Sequence, residues 1–272
     1  ITTTGAQTYN DDVVLGSTMT LNSTGGSAIT FTKTLNGAYG LTVNTAGVTT
    51  FNGAVGGDIA LTRLTTDAGG SVQINGGVVT TSAEQIYGET DRVDLTGNTT
   101  LTASRVTFNA PVTGTGYLYV VGQSTLHGGS VTTTGAQSYR GPVTLTADAV
   151  LDAGAEDVGF LSTVDGAYGL TINSAGITSF AGAVGASHAL TNVWISGDGT
   201  TQINGYTITT SGTQTYDQMV SLGRNTTLTA SRVMFNAPVS GVALSVVGEL
   251  TLNTDSILTT GAQHFGGAVT LT

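Results

Sequence analysis

The sequence predicts an all-β fold, a parallel β-solenoid built from tandem repeats. Three observations carry that expectation: a nested internal repeat, short alternating runs cut by glycine-rich turns, and a composition poor in charge. The chain has 272 residues, of which 40 are Gly, none is Cys and only 9% are charged. An ordinary soluble domain carries about a quarter charged residues.

The repeat is the first element. Ala38-Tyr39-Gly40-Leu41-Thr42-Val43-Asn44 returns 129 positions later as Ala167-Tyr168-Gly169-Leu170-Thr171-Ile172-Asn173, and Gln73-Ile74-Asn75-Gly76 returns at the same offset as Gln202-Ile203-Asn204-Gly205. Ser104-Arg105-Val106 and Asn109-Ala110-Pro111-Val112 return at an offset of 127, as Ser231-Arg232-Val233 and Asn236-Ala237-Pro238-Val239. The slip lies between Tyr87 and Val93, six positions apart where Tyr216 and Val220 are four apart. Inside this unit a shorter motif recurs, Thr-Thr-Gly-Ala-Gln-x-Tyr followed by Val-x-Leu, at Thr3 to Leu15, Thr133 to Leu145 and Thr259 to Leu271, where Phe265 replaces Tyr. Looser copies centre on Gln85 and Gln214, so Gln7, Gln85, Gln137, Gln214 and Gln263 are separated by 78, 52, 77 and 49 residues. The expected organisation is one continuous solenoid with a first long unit at residues 1–131, a second at 132–258 and the start of a third at 259–272, cut from a longer array.

The alternating runs are the second element. Stretches such as Ile29 to Leu35 alternate with period two and end in Asn-Gly, Gly-Gly or Asp-Gly, which marks ordinary strands joined by tight turns. Helical spacing of apolar residues is rare, and Thr, Val and Gly are poor helix formers. An apolar residue followed by Asn or His recurs at Leu35, Phe51, Ile74, Phe108 and Leu126, at intervals of 16 to 34 residues. Most of these fit a coil of roughly 20 residues, so a long unit of about six coils would rise roughly 29 Å at the strand-to-strand spacing. The competing architecture is a string of β-sandwiches of one unit each. It is the weaker expectation, because sandwiches do not usually contain shorter copies of themselves.

Composition is the third element and limits function. A net charge of -10 opposes nucleic acid and anionic membranes, both of which need a basic face. Apolar residues come in short runs such as Val13, Leu15, Met19 and Leu21, far from the roughly 18 consecutive apolar residues of a membrane helix. Without Cys there are no disulfides or thiolate metal sites.

With its motifs Thr133-Thr134-Gly135-Ala136-Gln137 and Phe51-Asn52-Gly53-Ala54-Val55, its Thr/Gly/Asn/Val-rich strands and its lack of Cys, the chain resembles the filamentous-haemagglutinin-like bacterial adhesins. That resemblance implies a right-handed β-helix shaft, a secreted or outer-surface location and a role in adhesion or surface assembly. It transfers no functional residue.

Asp11-Asp12 and Glu156-Asp157 are adjacent carboxylates of the kind glycoside hydrolysis needs, but neither pair recurs with the repeat and both read as solvated turns. Lys33, the sole Lys, offers no basic cluster for lyase chemistry. His127, His188 and His264 are dispersed and read as solvent-facing, and the Gly-Gly-x-Gly-x-Asp calcium repeat is absent. The Thr-x-Thr segments at Thr18, Thr100, Thr144, Thr227 and Thr270 miss most coils, which opposes a flat ice-binding face and leaves the strand propensity of Thr as their reason. Asn22, Asn98 and Asn225 head glycosylation acceptor patterns. The Gln residues, each two positions before an aromatic, read as corner clamps whose amide satisfies backbone groups while the ring fills space.

The expected function is therefore a non-enzymatic shaft or filament segment of a large secreted bacterial surface protein, without catalytic residue, metal or cofactor. Its expected partners are copies of itself, end to end or side by side, and a host or surface glycan. The alternatives are a carbohydrate-active β-helix enzyme and a glycan-binding module.

Overall fold

The computed structural model describes residues 1–66, 69–88 and 90–272. The chain divides into two compact units, Ile1–Gly135 and Ala136–Thr272. Each is a β-solenoid of parallel strands, and no helix occurs among the described residues.

Every coil has three faces. In the first unit, face A runs upward through strands Gln7–Tyr9, Ile29–Phe31, Val48–Phe51, Ser71–Ile74, Arg92–Leu95, Val112–Gly114 and Ser130–Thr133. The register is Gln7, Ile29, Thr49, Val72, Val93, Val112, Val131, each paired in parallel with the next. Successive steps of 19 to 23 residues confirm the coil of about twenty. Face B carries Val13, Leu35, Val55, Val79, Leu101 and Val120 in one column. Face C carries Met19, Leu41, Leu64, Gln85, Val106 and Ser124. The second unit repeats the plan, with face A running through Gln137, Val158, Thr178, Thr201, Val220, Val239 and Ile257.

Period-two alternation places one side chain inside and the next outside, and stacking then aligns like with like. Tyr9, Phe31 and Phe51 form a column with ring centroids 5.0 and 5.4 Å apart. Tyr139, Phe160 and Phe180 repeat it at 5.4 and 5.3 Å. The column continues as Ile74 and Leu95 in the first unit and as Ile203 and Leu222 in the second. Few aromatics suffice, because each ring packs on the ring or aliphatic residue of the adjacent coil.

The corners explain the uneven spacing of the apolar-Asn motif. Phe51-Asn52 and Ile74-Asn75 end face A one coil apart, whereas Phe108-Asn109 and Leu126-His127 end face C one coil apart. Crossing from one corner to the other produces the long interval of 34 residues between Ile74 and Phe108. At these corners the Asn side chains stack into ladders: Asn75 Nδ2 donates to Asn52 Oδ1 at 2.7 Å, and Thr96 Oγ1 donates to Asn75 Oδ1 at 2.7 Å.

The long repeat is not a whole number of coils. In the second unit, Gln137 lies on face A, and Ile257 lies six coils above it on that face. The next copy of the motif, Gln263–Phe265, instead pairs with Leu244, Ser245 and Val246 on face B. From Gln137 to Gln263 the repeat is six coils plus one face, which moves the motif from face A to face B.

Candidate functional site

The recurring Gln side chains point inward. Gln85 is fully buried, and its Nε2 donates to Val79 O in the same coil and to Thr102 O in the next, both at 2.9 Å. Its Oε1 accepts from Tyr87 Oη at 3.1 Å. Gln214 repeats this with Ile208 O at 3.0 Å, Thr229 O at 2.9 Å and Tyr216 Oη at 3.0 Å. Gln7 and Gln137 use Asn22 O and Asp152 O in the same way, each with its own Tyr. The motif thus stitches one coil to the next across a corner, as expected of a clamp. Gln263 donates to Ile257 O and Thr259 Oγ1, and Phe265 brings no hydroxyl. Burial pushes the Tyr139 and Tyr216 hydroxyls well above the ordinary phenol range.

One clamp was missed in the sequence. Gln218, 2% exposed, donates to Ser174 O and, at 2.8 Å, to Ser196 O, reaching across two coils. It stands in the short connection between Tyr216 and Val220, where the repeat is out of step and no matching residue advertises it.

Three of the four paired carboxylates, Asp11, Asp12 and Asp157, also stitch coil to coil. Asp11 Oδ1 lies 2.7 Å from Lys33 Nζ. Asp12 Oδ1 accepts from Thr34 N and Oγ1 at 3.1 and 2.7 Å, and these bonds hold its carboxyl below the usual carboxylate range. Asp157 Oδ1 accepts from Ile177 N at 2.6 Å. Among the described residues no three His, Cys, Asp or Glu side chains converge as a metal site would require. The Thr-x-Thr segments divide between faces within each unit: in the first, Thr18 lies on face C and Thr100 on face B; in the second, Thr144 and Thr227 lie on face B and Thr270 on face C. Of the acceptor-pattern residues, Asn98 and Asn225 are exposed, whereas Asn22 is held in a ladder by Asn44 at 2.7 Å.

Face C of the second unit carries a groove of about 410 Å³. Two outward columns form it. Val150, Thr171, Trp194 and Thr215 make the first, in register on successive strands. Asp148, Gly169, Asn192 and Thr213 make the second, each one residue before the inward column Ala149, Leu170, Val193, Gln214. Gly169 opens the groove because it removes one side chain from that second column. Trp194, the sole Trp, is 50% exposed, and its Nε1 donates to Asp217 Oδ2 at 2.7 Å.

The same positions in the first unit are Thr18, Gly40, Arg63 and Glu84 in one column and Thr20, Thr42, Thr65 and Ile86 in the other. There Glu84 lies 3.3 Å from Arg63 and 4.0 Å from Arg105, so ion pairs span the column. Trp194 thus replaces the counterpart of Thr65, and Asp217 the counterpart of Gly88. That break in the repeat is the signal that could have found the groove from sequence.

No protein-family model matches the chain, and neither a curated protein nor a solved structure matches it.

Proposed function

We propose that the chain is a non-enzymatic structural segment, a shaft or filament portion of a large secreted bacterial surface protein. One observation carries this reading: the side chains that recur with the repeat, the Gln-Tyr clamps and the corner Asn ladders, are spent on joining coil to coil. A scaffold selected for length needs such joints many times over, whereas an enzyme needs a single constellation of nucleophile, base and orienting partner. The acidic net charge of -10 suits a solvated extracellular or outer cell surface. The partners under this reading are copies of the protein, end to end or side by side, and a host or surface glycan.

Immunogold electron microscopy of the producing cells, with antibody raised against residues 1–272, tests the reading. Label on projections or fibres outside the cell envelope is expected. Label confined to the cell interior would overturn it.

A further inference from the structure

We infer that the groove beside Trp194 is a binding site for a neutral saccharide. The inference does not depend on the structural role proposed above.

The first argument is the aromatic platform. An indole half exposed on a strand surface exposes apolar area that Thr, the counterpart in the first unit, does not. Its orientation is held, because the N–H is tied to Asp217 Oδ2 at 2.7 Å and Asp217 Oδ1 accepts in turn from Asn236 Nδ2. Thr171 and Thr215 flank Trp194 on the strands on either side. The result is a fixed, flat apolar surface between polar neighbours. A pyranose ring has the complementary form, with an apolar face of C–H bonds and a rim of hydroxyls.

The second argument is the set of polar groups. Asp148 Oδ1 is taken by Gly169 N at 2.8 Å, and Asn192 Oδ1 by Thr213 N and Oγ1 at 2.9 and 3.1 Å. Asp148 Oδ2, Asn192 Nδ2 and the hydroxyls of Thr171, Thr191 and Thr215 make no hydrogen bond among the described residues. Acceptors, a donor and hydroxyls able to serve as both therefore surround the platform, as ring hydroxyls require. The volume of about 410 Å³ falls in the range of roughly 300–1,000 Å³ common to small-molecule sites.

The third argument excludes other occupants. A peptide adding as a strand needs an unpaired edge, but Leu170–Ser174 is paired on both sides, with Ala149–Gly154 and Val193–Ser196. Nucleic acids and acidic sugars meet Asp148, Asp217 and a net charge of -10. The first unit supplies the contrast, since the same backbone there carries ion pairs in place of platform and cleft.

The sole Trp makes the test direct. Tryptophan emission of the full 272-residue chain is titrated with neutral cello-, xylo-, malto- and manno-oligosaccharides of five or six units and, separately, with oligogalacturonate. A saturable change with at least one neutral series is expected, and none with the acidic one. Trp194→Thr installs the residue that the first unit carries at this register, and calorimetry should show at least a tenfold loss of affinity. Gly169→Leu provides a second variant, because a Cβ there meets Asp148 Oδ1 at 3.4 Å and Thr191 Oγ1 at 3.5 Å, ordinary contacts that leave the backbone in place. It should abolish the sugar-dependent change while circular dichroism stays as in the parent. Binding that survives both variants, binding to oligogalacturonate alone, or no saturable response to any neutral series up to 10 mM sugar, about the weak end of useful affinity, would each overturn the inference. Emission that shifts with protein concentration in the absence of sugar would assign the face to a second copy of the chain instead.

Discussion

Tyr87 and Gln85 are fully buried two positions apart on one strand, and the Tyr hydroxyl donates to the Gln side-chain carbonyl at 3.1 Å. The pairing accounts for which ring occupies the stacked aromatic columns, with Phe265 after Gln263 the exception. Tyr9, Tyr87, Tyr139 and Tyr216 each follow a Gln by two residues, whereas Phe31, Phe51, Phe108, Phe160, Phe180 and Phe235 occupy the same columns after Ile, Thr or Val. A buried hydroxyl is tolerated where an acceptor waits for it.

Removing the acceptor should therefore cost more than removing the hydroxyl. Gln85→Ala removes the acceptor of the Tyr87 hydroxyl at Gln85 Oε1 and takes the donor from Val79 O and Thr102 O, so a loss of about 2–4 kcal/mol is expected. Tyr87→Phe takes the donor from Gln85 Oε1 and should cost about 1–2 kcal/mol. Gln137→Ala should likewise lower the melting temperature. Urea denaturation of the two single variants and the double variant measures the coupling, and strictly additive losses would show that the pair does not act together.

Alkaline pH should weaken the fold through the same hydroxyls. Burial raises the folded-state pKa of Tyr139 and Tyr216 above the value of about 10 of an unfolded chain. Their contribution is fully present below about pH 10, and above it the unfolded state loses protons that the folded state keeps. Stability should fall by about 1.4 kcal/mol per pH unit for each buried Tyr. Denaturation between pH 8 and 11 should show a shallower slope for Tyr216→Phe.

Gly122 is required by backbone geometry. Its φ is +116°, and an added Cβ would lie 1.9 Å from Ala103 O; Gly248, at +124°, stands in the same relation to Ala230 O. Both face the irregular step in the neighbouring strand, between Thr102 and Arg105 and between Thr229 and Arg232. Gly122→Ala should cost more than about 2 kcal/mol, whereas Gly5→Ala, with nothing within 4 Å, should stay within about 0.5 kcal/mol. Thermal melting of the two variants provides the comparison.

Two exposed interactions should differ in worth. Asn75 gives and receives a 2.7 Å bond in its corner ladder, and Asn75→Ala should cost about 1 kcal/mol. Lys33 and Asp11, 53% and 89% exposed, are screened by water, so Lys33→Met should change stability by less than about 0.5 kcal/mol. Denaturation in low and high salt separates the two, since the ladder is uncharged.

Much of the fold was legible because stacking writes itself into sequence. Residues that pack on equivalents one coil away recur at the coil length, so Phe31 and Phe51, or Asn52 and Asn75, announce both the coil and the ladder. The inward role of Gln7, Gln85, Gln137 and Gln214 was legible for the same reason: each is tied to an aromatic at a fixed distance. Gln218 and Trp194 left no periodic trace, since one stands where the units differ in length and the other where they differ in decoration.

The amino-acid sequence alone determined the all-β class, the coil of about twenty residues, the nesting of a short motif in a long one and the clamp role of the Gln-aromatic pair. These depend on local alternation and on residues that must match their neighbours above and below. Only the tertiary structure decided which face each copy occupies. A repeat of six coils plus one face turns Gln137 on face A into Gln263 on face B. It also decided that Asp148, Gly169, Asn192 and Trp194, up to 46 positions apart in the chain, line one groove, because parallel stacking brings together residues a whole coil apart.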